Sequence, residues 1–157
     1  NVSLGASGTN TNSQGTIFIS DNLTYADSAN FYLNPNSSNK NALGLIAEQD
    51  VYIQDNTANR SGDIDIHAMI YAQKGGFGVQ NYSSFPKNVG KIKLRGGIIQ
   101  NIRRAVGQLS GTSDILGYFK DYVYDTRMRD AIQLPFFPVL NSYSSFARNE
   151  GMVKTIK

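Results

Sequence analysis

The chain contains no cysteine, so neither disulfides nor thiolate metal sites hold it together. Packing and hydrogen bonds must do that alone. No apolar run approaches the ~20 residues that cross a bilayer as a helix, and no signal-peptide pattern is present. Because the chain opens on Asn1 rather than Met, it is expected to be processed or excised, with any export signal upstream. Charged residues make up only 17%, glutamate occurs only at Glu48 and Glu150, and His67 is the single histidine. Any Ser-His-Asp chemistry would have to be built around that one ring. Gly-rich phosphate loops and dinucleotide fingerprints are missing, as are the Asn-Gly and Asp-Gly pairs that mark tight antiparallel hairpins.

What is abundant is Asn (16), Ser (15) and Gly (15), a profile that favours turns and exposed strands over long helices. The length of 157 residues suits one domain. Residues 1–14 are small and polar and read as a linker or frayed start. Four segments then share a layout of two short extended stretches around a tight corner: 15–25 (GTIFISDNLTY), 42–54 (ALGLIAEQDVYIQ), 62–73 (GDIDIHAMIYAQ) and 90–101 (GKIKLRGGIIQN). The last two align without a gap. Ile64 and Ile66 fall at the places of Ile92 and Leu94, the period of a strand with one buried face. Stacked in parallel, they set Asp63 beside Lys91 and Asp65 beside Lys93, a charge ladder on the outer face.

This pattern predicts an all-β chain, a right-handed parallel β-helix (solenoid) of about four irregular rungs over residues 15–116. A β-sandwich is the rival. One short helical turn is expected within residues 99–109. The aromatic-rich remainder, residues 117–157, reads as a C-terminal cap over the last rung's exposed core. Its candidate cap or interaction surface comprises Tyr118, Tyr122, Tyr124, Arg127, Arg129, Phe136 and Phe137.

Charge is distributed unevenly along the chain. Residues 1–86 hold three basic and seven acidic side chains and residues 87–157 hold twelve and five, so a chain wound along an axis would have an acidic and a basic end. Such ends suit head-to-tail association with a like neighbour.

The residues offer little that resembles catalysis. Alternation places His67 on the outer face beside Arg95. Asp50, Asp55, Asp63 and Asp65 lack EF-hand or calcium-repeat spacing and read as solvated strand and turn positions. Lys91, Lys93, Arg95, Arg103 and Arg104 form a basic set, but three of those charges belong to the ladder, so nucleic acid is not expected. The Pro-Phe-Phe-Pro run at 135–138 reads as a buried turn. Sequons include those at Asn1, Asn22, Asn36 and Asn81. Tyr122 and Tyr124 share one strand face, where core packing competes with stacking on a sugar ring. No catalytic residue, cofactor or metal is expected.

The segments LGLIAEQDVYI (43–53), DIDIHAMIYAQKGGF (63–77), KIKLRGGIIQNIRRAVG (91–107) and GYFKDYVYDTRM (117–128), followed by LPFFP, lie within a span, 43–138, that covers about 60% of the chain. The span 43–138 resembles a domain of bacterial surface proteins in which a pilin-like N-terminal helix precedes a right-handed β-helix. The resemblance implies an exported, non-enzymatic subunit or minor component of an extracellular pilus-like filament or cell-surface assembly. The implied partners are further copies, pilin-like subunits or surface glycans, with the membrane reached only through a segment preceding Asn1. The alternative is a carbohydrate-binding or polysaccharide-active domain.

Overall fold

A computed structural model describes residues 2–4, 15–25, 41–110, 114–130, 134 and 137, and the structural statements below concern those residues. Nine strands appear in chain order: β1 (Val2–Leu4), β2 (Ile17–Ile19), β3 (Gly44–Ala47), β4 (Val51–Ile53), β5 (Ile64–Ala72), β6 (Phe77–Val79), β7 (Gly90–Gln100), β8 (Gly107–Ser110) and β9 (Asp114–Tyr124). A 3-10 turn at Tyr82–Ser84 and one four-residue helix, α1 (Arg127–Asp130), are the helical elements.

The strands form two sheets, ordered β1-β2-β4-β6 and β3-β5-β7-β9-β8. Interior pairings are parallel, whereas β1 joins β2 and β8 joins β9 antiparallel. Inward-facing aliphatic side chains of both sheets meet in a single core. Ile19, Val51, Ile53, Ile66, Ile70, Ile92 and Leu94 are essentially inaccessible to solvent. Burying each is worth about 1.5–3 kcal/mol, which is what sets the register.

Between β5 and β7 that register puts Ile64 opposite Ile92, Asp65 opposite Lys93 and Ile66 opposite Leu94. Asparagines tie successive strand segments together. Asn59 donates through Nδ2 to the carbonyls of Ile19 and Gln54, Asn22 Oδ1 accepts from the Asp65 backbone, and Asn88 Oδ1 accepts from that of Ile115. Part of the asparagine excess is therefore structural.

The expectation of an all-β, right-handed parallel β-helix of about four rungs with an aromatic cap is corrected. The chain instead forms two separate mixed sheets, each ending in an antiparallel member, with a short helix beside them. The 62–73 and 90–101 segments are not two short strands around a corner, because β5 runs for 9 residues and β7 for 11 without a break. Gly96 and Gly97 lie within β7, where the backbone passes close to Ala68 and Met69 of β5. The supposed cap begins instead with β9, which adds a further parallel strand through Gly90 opposite Tyr118 to Gly96 opposite Tyr124. No helix forms over residues 99–109, since β7 continues to Gln100 and β8 starts at Gly107. At the N-terminus, Val2–Leu4 is a strand rather than part of a linker. Pro135, Phe136 and Pro138 lie outside the described residues, as does the side chain of Arg129.

Candidate functional site

Three places gather polar side chains. On the outer face of β5 and β7 the charge ladder is diagonal: Lys93 Nζ reaches Asp63 Oδ2 at 2.7 Å, while Asp63 Oδ1 accepts from the Lys91 backbone at 2.8 Å. The Lys93 hydrogen bond, reinforced by that backbone donor, holds the Asp63 carboxyl below its ordinary range. One strand further, Arg95 grips Asp121 of β9 end-on through Nη1 and Nη2, both contacts at 3.1 Å. The ladder thus spans three strands and fixes their stagger. Lys91 and Asp65 stay outside its ion pairs.

The second place is a buried polar knot under the 21–25 segment. His67 is 4% exposed, which corrects the outward position that alternation assigns it. Both faces of β5 are covered from Ile66 to Ile70, so the side-chain period of two no longer separates inside from outside. His67 Nδ1 accepts the Tyr25 backbone N–H at 3.1 Å, and the two rings lie 5.4 Å apart. Leu43 N–H donates to the Tyr25 hydroxyl at 2.8 Å. Nearby, Arg127 and Asp125 are 3% and 5% exposed and form a side-on pair, Nε to Oδ1 at 3.1 Å and Nη2 to Oδ2 at 2.9 Å. Arg127 also donates to the Asn41 carbonyl at 3.0 Å, so the turn after β9 clasps the approach to β3. The His67–Tyr25, Tyr25–Leu43 and Arg127–Asn41 contacts tie distant chain segments together, which is a structural role.

Burial lowers the His67 pKa from its ordinary 6.5, with Arg95 and Arg127 acting the same way and Asp65 and Asp125 opposing. A proton on Nδ1 would also set a donor against the Tyr25 N–H. The fold therefore favours the neutral ring. Its contribution is complete above about pH 6.5 and is lost as pH falls through that value toward the lower folded pKa. Urea melts of wild type between pH 7.5 and 5.5 are expected to lose stability that a His67→Gln variant does not lose over the same interval. Parallel curves for the two proteins would contradict the assignment.

The third place is the β9 end of the larger sheet. β9 pairs with β7 along residues 118–124 and with β8 along 114–117, so beyond Gly117 its outer edge has no strand partner among the described residues. Asp125 N–H donates to Gly96 of β7, whereas Tyr118 N–H points the other way, to Val106. Alternation then turns the backbone groups of Lys120, Tyr122 and Tyr124 away from β7. This edge carries exposed Phe119, Tyr122, Val123 and Tyr124.

Within β9, Tyr118, Lys120 and Tyr122 share the inward-facing row. Tyr118 fills the core at 1% exposure, its hydroxyl donating to the Asn59 carbonyl, and burial together with the Asp63 charge pushes its phenol up to about 12. Lys120 stands opposite Ile92 but beyond the filled core. There it lines a recess of about 250 Å³ with Phe77, Ile98, Gln100, Arg103, Arg104, Val106 and Tyr122. Arg104 is neutralised by Asp50, with Nε–Oδ1 at 2.9 Å and Nη2–Oδ2 at 3.2 Å.

Of the residues expected at a cap surface, Tyr122 and Tyr124 lie on the open edge, Tyr118 is core and Arg127 belongs to the knot. Phe137 packs against Tyr71 with ring centroids 6.3 Å apart, near the opposite edge of the sheet. Lys120 was missed. Its signal was the run Tyr118, Lys120, Tyr122, which puts a lysine in an apolar row of period two. No protein family, curated protein or solved structure is found to match the chain.

Proposed function

We propose that the chain is a non-enzymatic structural subunit that assembles head to tail with further copies of itself, the edge of β9 in one copy adding to the outer edge of β3 in the next. The observation that carries this reading is the backbone edge of β9 beyond Gly117, which has no strand partner among the described residues and is flanked by exposed Tyr122, Val123 and Tyr124. Such an edge is a template for strand addition unless it is blunted or covered. At the far end of the same sheet β3 is also outermost, so one copy offers two different edges. A heterologous contact of that kind propagates rather than closing on itself unless its rotation forms a ring.

Charge supports the same partner. Among the described side chains Asp21 and Asp65 are the carboxylates outside ion pairs, and Lys91, Arg103 and Lys120 are the cations outside them. Asp21 sits in the outermost segment at the β3 end, Arg103 and Lys120 at the β9 end. An extracellular, pilus-like setting for this assembly rests on the sequence resemblance.

A Tyr124→Pro variant tests the contact. Proline there removes an outward N–H while leaving the bonds to β7, which come from the odd-numbered residues, in place. Wild type is expected to associate with rising concentration, more strongly at low salt, and the variant to remain monomeric with an unchanged circular dichroism spectrum. Equal association of both proteins would sink this contact.

A further inference from the structure

The recess at the β9 end holds two cations that nothing among the described residues neutralises. Arg103 and Lys120 both line it, and neither is in an ion pair. Their mutual proximity costs the fold: burial first, and then the Arg103 charge, lowers the Lys120 pKa. Elsewhere the chain pairs such charges, as Arg104 with Asp50 and Arg95 with Asp121. Two like charges kept together beside an apolar floor mark a place where an anion completes the site.

The other lining groups say what kind of anion. Phe77, Ile98 and Val106 supply an apolar floor, and the Tyr122 ring stands 6.3 Å from that of Phe77 at 64°. Gln100 Oε1 already accepts the Phe77 backbone N–H at 2.8 Å, which orients the amide and leaves its Nε2 group as a donor. At about 250 Å³ the recess falls below the ~300–1,000 Å³ of sites for drug-sized ligands, so it suits a single ring rather than an extended nucleotide. A bare inorganic ion would use the cations and waste the aromatic wall. A pyranose bearing a carboxylate uses all of it: the carboxylate faces Arg103 and Lys120, a hydroxyl accepts from Gln100, and the apolar ring face lies against Tyr122.

We propose that this recess binds a carboxylated sugar ring, the acidic unit of a polysaccharide. A monomer carries the site complete, but Arg103, Lys120 and Tyr122 also belong to the edge proposed for assembly, so binding is measured on dilute, monomeric protein.

The test is isothermal titration of the full chain with a trimer of galacturonate, with a neutral galactose trimer and with inorganic phosphate. The galacturonate trimer is expected to bind and the neutral trimer to give no heat. Arg103→Gln and Lys120→Gln should each weaken binding by about 10-fold or more, as loss of a charge-assisted contact does. Tyr122→Leu should weaken it as well, whereas Lys91→Gln, which removes an unpaired cation elsewhere, should leave it unchanged. Thermal melts of the variants report that each is folded. The proposal is overturned if the galacturonate trimer gives no heat, if phosphate binds as tightly and Tyr122→Leu has no effect, or if Lys91→Gln weakens binding as much as Lys120→Gln.

Discussion

Replacing Arg127 by methionine is expected to destabilise the chain by about 3–5 kcal/mol, because it strands the Asp125 carboxylate where water cannot reach it. Both side chains are almost wholly buried and meet in a two-point contact. The cost also has a topological side. Through the Asn41 carbonyl, Arg127 holds the turn that follows β9 against the residues entering β3, two segments that are 86 positions apart. Removing the guanidinium releases that clasp along with the charge pair. Urea denaturation measures the loss. The double variant Asp125→Leu with Arg127→Met should recover part of it, since it leaves no unpaired charge, and a double variant less stable than the sum of the single ones would contradict the argument.

Gly96→Ala is expected to cost about 2–4 kcal/mol, through strain and overpacking together. At φ +157° the backbone of Gly96 lies in a region that side-chain-bearing residues seldom adopt, and an added Cβ would run into the carbonyl of Ala68 on the neighbouring strand. That carbonyl is backbone within β5 and has no way to move aside. The adjacent Gly97 provides the contrast. A Cβ there meets the Cε and Sδ of Met69 at 2.9 and 3.0 Å, the flexible end of a side chain that can turn away. Gly97→Ala should therefore cost under about 1 kcal/mol. Equal melting temperatures for the two variants would show that the close approach at residue 96 is not a constraint.

The parallel register of β5 on β7 was legible because it is written in side chains that must be buried. Ile64, Ile66, Ile92 and Leu94 have one way to face the core together, and a one-residue slip of either strand would turn its own pair to solvent. What alternation could not show was how many faces of a strand are covered. His67 lies in a stretch enclosed on both sides, so its parity with the half-buried Asp65 said nothing about solvent. Nor could the repeat reveal its own last strand. β9 carries Tyr118, Lys120 and Tyr122 where β7 has Gly90, Ile92 and Leu94, so strand geometry continues after the apolar spelling has changed.

The same substitution pattern explains the candidate site. Beyond Gly117 β9 has no further strand beside it among the described residues, and there polar and aromatic residues replace aliphatic ones in its inward row. Arg103 was visible as part of a basic set, but its meeting with Lys120 depends on residues 101–106 folding back beside Phe77. Gly76 and Gly78 make that return possible. A Cβ on Gly76 would collide with the Ile102 carbonyl, and one on Gly78 would stand 2.6 Å from Arg104 Cβ. Nothing in the local sequence pattern connects residue 78 with residue 104.

Sedimentation equilibrium of wild type and Tyr124→Pro, taken from micromolar to millimolar concentration at low and high salt, tests the central claim most directly. A weight-average mass that climbs with concentration for wild type, climbs less at high salt, and stays at that of one chain for Tyr124→Pro is the result expected of edge-to-edge assembly through β9. A wild-type chain that remains a single copy throughout, or a variant that associates as readily, would contradict it.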